Sequence, residues 1–324
     1  WEMWNSGNYL IPQLNGEIYT HKPPLLFWLI NLIWSVSGVG ELSARIIGPI
    51  AGVTCIYLTH VLGAALWPNE KVLGARGALI LATTGFFLIF ASLTMFDALL
   101  AVGALASFVA LIKYNHSQQR RWIWLLGFGL AFGVYAKGPV IFVHILPLAL
   151  FMPWLAQSSF KSQKRRWYLG LGGALFLCLL LVSAWLGPAI YVGGEAYFEA
   201  AVWHQAVGRI GNAFDHQKPV WFYLALLPLM IWPWGWILQI WQLQKFKKMM
   251  GDRGAQILGL SMLSSLIIFS LISGKQVHYL LPVMPLFSLF VARCVGWGSR
   301  ISLIAPLLLY AVVAAFLGGL LVPD

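Results

Sequence analysis

The side chains that could bind an anion or transfer a proton stand in short polar segments between long apolar runs. Asp97 lies in one of them, where a carboxylate at a membrane boundary is costly unless it is paired or takes part in chemistry. Capping of the following helix is the alternative. Lys22 ends another such segment, directly after His21 and before Pro23 and Pro24. Lys22 could instead be an interface anchor, and His21 could be a solvated loop residue.

Two further polar segments combine cations with imidazole or aromatic side chains. The first, residues 191–219, contains an amphipathic stretch predicted to lie as a helix at the membrane interface, with His204 and Arg209 as candidate binding groups or ordinary interface anchors. These two lie roughly 140° apart around a helix of about 3.6 residues per turn, so each would meet a different part of a ligand. The second contains Lys275, His278 and Tyr279, which could together meet an anion, although Tyr279 could also be an interface aromatic. Together the four segments predict an outer cavity for a lipid-linked phosphate.

The elements that position these groups are predicted to be membrane helices. Of 324 residues, 60% are hydrophobic and 10% charged, and the mean hydropathy is +0.79, far from the balance of a soluble domain. A crossing needs about 20 apolar residues, and ten segments reach or approach that length. They are residues 43–66, 77–93, 98–114, 122–136, 139–155, 168–190, 220–243, 257–273, 278–294 and 301–322. The shorter run 23–39 is predicted to be an interfacial helix.

The fold class predicted is therefore an all-α polytopic integral membrane protein, with about ten transmembrane helices and additional interfacial helices. We expect one domain over residues 1–324, with outer loops at residues 1–42 and 191–219. Most of the 21 Lys and Arg residues fall in loops that alternate spans place on one side, which the positive-inside rule makes cytoplasmic. Because the net charge of +11 comes from such clusters, it does not indicate nucleic-acid binding. The isolated cysteines are predicted to be core residues: Cys55, Cys178 and Cys294.

Three motifs near the start of the chain, residues 6–12, 14–17 and 22–26, follow one another in an order that resembles lipid-linked sugar transferases. The resemblance extends to residues 41–45, Asp97, residues 137–139, His204 with Arg209, residues 232–234 and residues 275–282. It indicates the aminoarabinose transferases acting on lipid A and, more broadly, glycosyltransferase families 39 and 83 of the GT-C superfamily, which are related to protein O-mannosyltransferases.

This resemblance implies an inverting transfer of a sugar from a polyprenyl-phosphate donor to a lipid A-like, glycan or protein acceptor. The implied location is the periplasmic face of a bacterial inner membrane, crossed many times by the chain. Lys22 and Arg209 match positions implied to hold the phosphate, with Tyr279 as a hydrogen-bond donor and Lys275 beside it. His204 matches a metal-binding histidine, and His21 stands where relatives often have an acid, so both could ligate zinc or a similar divalent cation.

Asp97 is the only carboxylate that matches the implied catalytic positions. Relatives carry an Asp-Glu pair in a first outer loop, after a first transmembrane helix, which would precede Trp1; Glu2 lies too late to replace it. Because an acid there would deprotonate the acceptor hydroxyl, we expect this chain by itself to be inactive.

A transporter or lipid flippase is the alternative from another functional class. Transporters tend to have repeats and charges at the bilayer midplane, whereas the mid-span polar residues here, His60 and His144, are interpreted as core residues. A non-catalytic membrane scaffold is a third alternative, and it would leave Lys22, Asp97 and Arg209 dispensable.

Overall fold

A computed structural model describes residues 1–155, 164–201, 218–295 and 310–311. The helices, numbered in chain order, are α1 Glu2–Ser6, α2 Leu25–Ser37, α3 Glu41–Arg45, α4 Ile47–Leu66, α5 Val72–Ala82, α6 Gly85–Ser92, α7 Phe96–Ser117, α8 Arg121–Lys137, α9 Ile141–Leu155, α10 Lys164–Phe198, α11 Phe222–Met230, α12 Leu243–Met250, α13 Arg253–Leu271 and α14 Met284–Val295. Two short strands, β1 Gln13–Leu14 and β2 Glu17–Ile18, form one antiparallel hairpin.

Six helical segments of this part of the chain are long and apolar enough to cross a membrane. They are Glu41–Leu66, Phe96–Ser117, Arg121–Leu155, Lys164–Glu195, Arg253–Leu271 and Val277–Val295. Helices α5 and α6 make a seventh if their pair, bent by 72°, counts as one span. The predicted all-α polytopic membrane fold is confirmed. The number of about ten spans stays a prediction, and segment 301–322 falls almost entirely outside the described residues.

The segment Arg121–Leu155 contains two helices, α8 and α9, joined by the 3-10 turn Gly138–Val140. The indole of Trp167, at the start of α10, donates to the carbonyl of Ala149 at 2.8 Å and also stacks on Tyr114 near the end of α7. Since α8 starts just after that end of α7, α9 must fold back toward the side from which α8 began. Helices α8 and α9, which correspond to the segments predicted at 122–136 and 139–155, therefore run antiparallel to each other.

The segment predicted as one helix at 220–243 is instead broken. Helix α11 has nine residues, and the 3-10 turns Trp234–Trp236 and Leu238–Trp241 follow it. Pro233 explains the break, because proline lacks the N–H that a helix needs and its ring clashes with the preceding turn, whereas Pro228 lies inside α11.

Hydrogen bonds hold the amino-terminal segment against the outer side of the bundle. In its β1–β2 hairpin Asn15 and Gly16 both have positive φ, and the Glu2 carboxylate accepts hydrogen bonds from their amides at 2.5 and 3.2 Å. Trp28 of α2 and Trp185 of α10 donate to the carbonyls of residues 9 and 10. Helix α2 has only 13 residues, about 20 Å at about 1.5 Å per residue, as expected for an interfacial helix.

Helix α7 runs through the middle of the bundle and is its most buried candidate span. Close packing with α8 depends on small residues: a Cβ on Gly103 would lie 3.0 Å from the carbonyl oxygen of Gly129. The three cysteines are buried and free, as predicted. His144 is buried and its Nδ1 lies 3.2 Å from Ser265 Oγ, which fits the core interpretation. The central position of α7 brings its first turn, with Asp97, to the middle of one end of the bundle.

Candidate functional site

Asp97 is the second residue of α7 and the centre of a polar cluster at that end of the bundle. Its side chain is 3% exposed. One carboxylate oxygen forms an ion pair with the Lys137 ammonium, and the other lies 3.6 Å from Nε2 of His278. The role of Asp97 is thus to face cations, and the helix-capping alternative does not describe it. A carboxylate held out of water in this way is stable only while its partners remain.

Lys137 reaches Asp97 because α8 ends and the chain reverses at this point. Gly138 has φ +77, a conformation that residues with a Cβ rarely adopt, and its amide closes the helix on the Val134 carbonyl. Pro139 then starts the following 3-10 turn. The Lys137 ammonium also lies 4.1 Å from the centroid of the Tyr279 ring, within the range of a cation–π interaction.

His278 and Tyr279 come from the turn between α13 and α14. Gln276 is extended, and the 3-10 helix Val277–Val283 begins directly after it. The hydroxyl of Tyr223, on α11, donates to the Gln276 carbonyl at 2.9 Å and so fixes the start of this turn. The two rings then sit edge to face, 5.3 Å apart, beside Asp97 and Lys137.

Lys22 adds a second ammonium from the amino-terminal segment. Its Nζ lies 5.6 Å from the ring centroid of Phe96, the residue before Asp97. Phe27, on the first turns of α2, packs against the same ring at 5.7 Å. The ammonium groups of Lys22 and Lys137 both lie within electrostatic range of the His278 imidazole. Four elements distant in sequence therefore meet at one place.

The turn before Asp97 is positioned by a close backbone approach. Residues 93–95 are extended between α6 and α7, and they pass directly over the start of α4. A Cβ on Gly48 would lie 2.4 Å from the Leu93 carbonyl oxygen, so only glycine allows this contact. The Thr94 hydroxyl adds a long hydrogen bond, 3.4 Å, to the carbonyl of Arg45.

The cluster brings two ammonium groups together. The Lys137 ammonium pairs with Asp97, and the Lys22 ammonium lies beside Phe96 and within electrostatic range of His278. Lys137 and Asp97 are almost completely buried, so their charges are poorly screened by water. Such a site can bind a phosphate and stabilise negative charge that develops on it.

Lys275 does not touch this cluster through any contact that the structure records. Its ammonium is buried and donates to the backbone carbonyl of Lys218 at 2.8 Å, and the Lys218 amide donates to the Ser273 carbonyl at 3.2 Å. Burial lowers the pKa of Lys275 from its usual value. Lys275 therefore fastens the chain that follows the outer loop, and its predicted phosphate binding stays a prediction.

The predicted metal site is not assembled by the described residues. The ring of His21 packs 5.5 Å from that of Tyr19, and residues 1–155, 164–201 and 218–295 contain no group of three His, Cys, Asp or Glu side chains that could hold a metal ion. His204 and the predicted phosphate ligand Arg209 lie outside the described residues. Metal binding by His21 and His204 therefore stays a prediction, and no chemical step is assigned to a metal.

The sequence predicts Asp97, Lys22 and Tyr279 as site residues. It places Lys137 and His278 among the same outer polar groups, but it gives Lys137 no role and His278 only a possible contact with an anion. Lys137 belongs to the few cations left on the outer side against the positive-inside rule, and His278 precedes Tyr279. That charge distribution was the available signal. It could not show that Lys137 and Asp97 form an ion pair across 40 residues of chain.

Comparison with known proteins agrees with this architecture. Residues 21–186 match the family described as dolichyl-phosphate-mannose-protein mannosyltransferase. Among curated relatives, an undecaprenyl phosphate-alpha-4-amino-4-deoxy-L-arabinose arabinosyl transferase of Pseudomonas fluorescens is 27% identical over 308 residues, covering 93% of this chain and 53% of the relative. A transferase of the same name from Pseudomonas aeruginosa is 28% identical over 309 residues, covering 91% and 53%.

Two crystal structures of ArnT from Cupriavidus metallidurans have the same fold. The one bound to undecaprenyl phosphate has a TM-score of 0.80 at 20% identity and covers 97% of this chain and 57% of its own. The apo structure has a TM-score of 0.77 at 19% identity. This chain spans about half the length of the relatives it matches. Because the family match includes more than half of the chain, the chain belongs to the dolichyl-phosphate-mannose-protein mannosyltransferase family, as the order of its outer motifs predicted.

Proposed function

We propose that the full-length protein containing this chain transfers a sugar from an undecaprenyl-phosphate-type donor to a lipid acceptor in a bacterial cell membrane. The observation that carries the proposal is the buried Asp97 between Lys137 and His278, with Lys22 beside it. The donor class follows from relatives named for 4-amino-4-deoxy-L-arabinose linked to undecaprenyl phosphate. A lipid A-like molecule is the proposed acceptor, with glycans and proteins as the other acceptor classes of this superfamily.

The reaction would be a single displacement at the anomeric carbon. The acceptor hydroxyl forms a bond to that carbon, the bond from carbon to the phosphate oxygen breaks, and the electron pair leaves with the polyprenyl phosphate. Attack from the face opposite the phosphate inverts the configuration. Negative charge grows on the leaving phosphate, so preorganised cations accelerate the step. Lys22 and Lys137 supply this charge in our proposal, with the Tyr279 hydroxyl as a hydrogen-bond donor.

Asp97 would have two consecutive tasks. Before the donor arrives, its carboxylate holds Lys137 and His278 in place. A bound phosphate competes for the Lys137 ammonium, and this loosens the ion pair and leaves the carboxylate able to accept the proton of the acceptor hydroxyl. Asp97 is the one fully buried carboxylate within the described part of the chain, which supports its assignment as the catalytic residue.

A transporter or flippase gains no specific support from the described residues. The charged cluster lies at one end of the bundle, whereas a transport site is expected near the bilayer midplane. The buried mid-span histidine, His144, lies against Ser265 instead of a carboxylate.

The test uses the full-length protein in proteoliposomes with an undecaprenyl-phosphate aminoarabinose donor and lipid A. Release of free undecaprenyl phosphate and labelling of lipid A are both measured, for wild type, Lys22→Ala and a matched control, Lys218→Gln, which removes an exposed outer cation. A hydrogen bond to a charged group contributes about 1.5–3 kcal/mol, so we expect Lys22→Ala to lose roughly ten- to hundredfold in rate while the control keeps wild-type activity.

Equal activity of Lys22→Ala and wild type would remove Lys22 from the phosphate site. If the wild type released no undecaprenyl phosphate with any sugar donor, the transferase proposal itself would be wrong. Labelling of a protein or glycan in place of lipid A would change the proposed acceptor but would leave the proposed sugar transfer unchanged.

A further inference from the structure

A second basic site lies at the opposite end of the bundle, away from the Asp97 cluster. A cavity of about 330 Å³ opens beside α4, lined by Tyr57, His60, Val61, Ala64, Ala65, Lys71 and Lys113. Lys71 precedes α5 and Lys113 lies in the last turns of α7. The charge distribution of the sequence places both lysines at the cytoplasmic surface of the membrane. We propose that this cavity binds the headgroup of an anionic glycerophospholipid of the cytoplasmic leaflet.

The two lysines give the cavity its charge. Neither ammonium forms an ion pair with a carboxylate of the described residues. The neighbouring carboxylate, Glu70, forms an ion pair with the guanidinium of Arg293, with a nitrogen–oxygen distance of 2.8 Å. Lys113 lies 4.8 Å from the centroid of the Trp122 ring, which holds the ammonium without neutralising it. Two ammonium groups without a counter-anion on one cavity are suited to a phosphodiester.

The residues that line the cavity indicate that its ligand is a lipid and not a free phosphate. Residues 57, 60, 61 and 64 of α4 are spaced so that they line one face of the helix. That face continues away from the cavity as an apolar stripe of Ile50, Val53 and Tyr57, which are 53%, 66% and 64% exposed. A headgroup between the lysines would therefore leave its acyl chains along α4, toward the bilayer centre. Basic pockets between helices at the cytoplasmic surface are known to suit anionic lipid headgroups.

The test measures lipid retention by the full chain purified in detergent. Native mass spectrometry compares added dioleoyl-phosphatidylglycerol with dioleoyl-phosphatidylcholine, for wild type and for Lys71→Gln/Lys113→Gln. The matched control, Lys247→Gln/Lys248→Gln, removes the same charge from exposed residues of α12. Each lysine near a headgroup strengthens binding by roughly five- to tenfold. We therefore expect the double variant to retain at least tenfold less phosphatidylglycerol and the control to stay within about twofold of wild type.

A second pair of variants tests the cavity without changing charge. Ala64→Trp fills the cavity, and Val53→Trp places the same side chain on the exposed stripe outside it. Loss of phosphatidylglycerol in Ala64→Trp with retention in Val53→Trp supports the site, and this comparison holds even if the lysine variant folds poorly. Equal retention in all variants, or equal retention of phosphatidylcholine, would overturn the proposal. Displacement of the lipid by excess inorganic phosphate alone would also overturn it, because the acyl chains would then contribute nothing.

Discussion

The two ends of the helix bundle each contain a charged cluster, but the clusters are built on different principles. At one end Arg293 lies between Asp252, at 2.7 Å, and Glu70, at 2.8 Å, and the Trp67 indole donates to Asp252 at 3.0 Å. We call this the Arg293 network. Its Glu70 side chain is mostly exposed to solvent. At the other end, the side chains of Asp97 and Lys137 are only 3% and 9% exposed, and the Asp97 carboxylate lies against an ammonium and an imidazole.

The difference lies in the balance of charge. Arg76 acts electrostatically on Glu70, so the two acids of the Arg293 network face two guanidinium groups. The Arg293 network therefore joins helices α5, α13 and α14. The Asp97 cluster instead combines an almost completely buried ion pair, Asp97 with Lys137, with a second ammonium, Lys22, that lies beside it. We infer that these two ammonium groups serve an anionic ligand.

The largest effect should come from breaking the Asp97 cluster. Asp97→Asn leaves the buried Lys137 ammonium without its carboxylate, and loss of one partner of a buried ion pair costs roughly 3–5 kcal/mol. We expect Asp252→Asn, in the more open Arg293 network, to lower the free energy of unfolding by much less. Denaturation of the full chain by sodium dodecyl sulfate measures both.

The double variant Asp97→Asn/Lys137→Gln is the control for this interpretation. Because it removes both charges, it should recover part of the stability lost in Asp97→Asn. If the single and double variants were equally destabilised, or if Asp252→Asn cost as much as Asp97→Asn, the contrast between the two ends would be wrong.

A smaller effect is expected from the backbone contact that positions the Asp97 turn. Gly48→Ala would place a Cβ 2.4 Å from the Leu93 carbonyl oxygen, and neither backbone can move without shifting the other. Overpacking of this kind costs about 1–3 kcal/mol. Gly172→Ala is the matched control, since a Cβ there meets nothing within 4 Å. A thermal unfolding midpoint lower for Gly48→Ala than for Gly172→Ala would confirm the close approach, and equal midpoints would contradict it.

The smallest effect concerns acid sensitivity of the Arg293 network. Burial opposes ionisation of Asp252, but hydrogen bonds from Ala255, Trp67 and Arg293 outweigh it, and the pKa of Asp252 lies below its usual value of 3.8. The folded protein therefore binds fewer protons here than the unfolded chain does. The stabilisation is complete above about pH 4 and is lost as pH falls through the lower, folded-state pKa.

We expect the unfolding midpoint of the wild type to fall in that acid range more steeply than that of Asp252→Asn. Asparagine can still accept the Ala255 amide at the start of α13, so the variant keeps the helix cap while losing the titration. Parallel pH profiles for the two proteins would show that Asp252 is not responsible.

Several features of the fold follow from local pattern. Long apolar runs predict membrane helices because backbone polar groups in lipid must bond within their own segment. Gly138 and Pro139 predict the reversal after α8, and the 13-residue length of α2 keeps it from spanning. The break after α11 was predictable in principle from Pro233, but hydropathy averaged over the segment concealed it.

The candidate site also has a part that the sequence predicts and a part that only the structure shows. The sequence alone determined that Lys22, Asp97 and Tyr279 are polar groups at the membrane boundary, because their types and their place between apolar runs are local properties. It did not determine that Lys137 pairs with Asp97 or that His278 faces the same carboxylate. Those contacts join residues far apart in the chain, and only the packing of α8 and of the turn before α14 around α7 brings them together. Tertiary packing alone therefore decided which charged groups meet around Asp97.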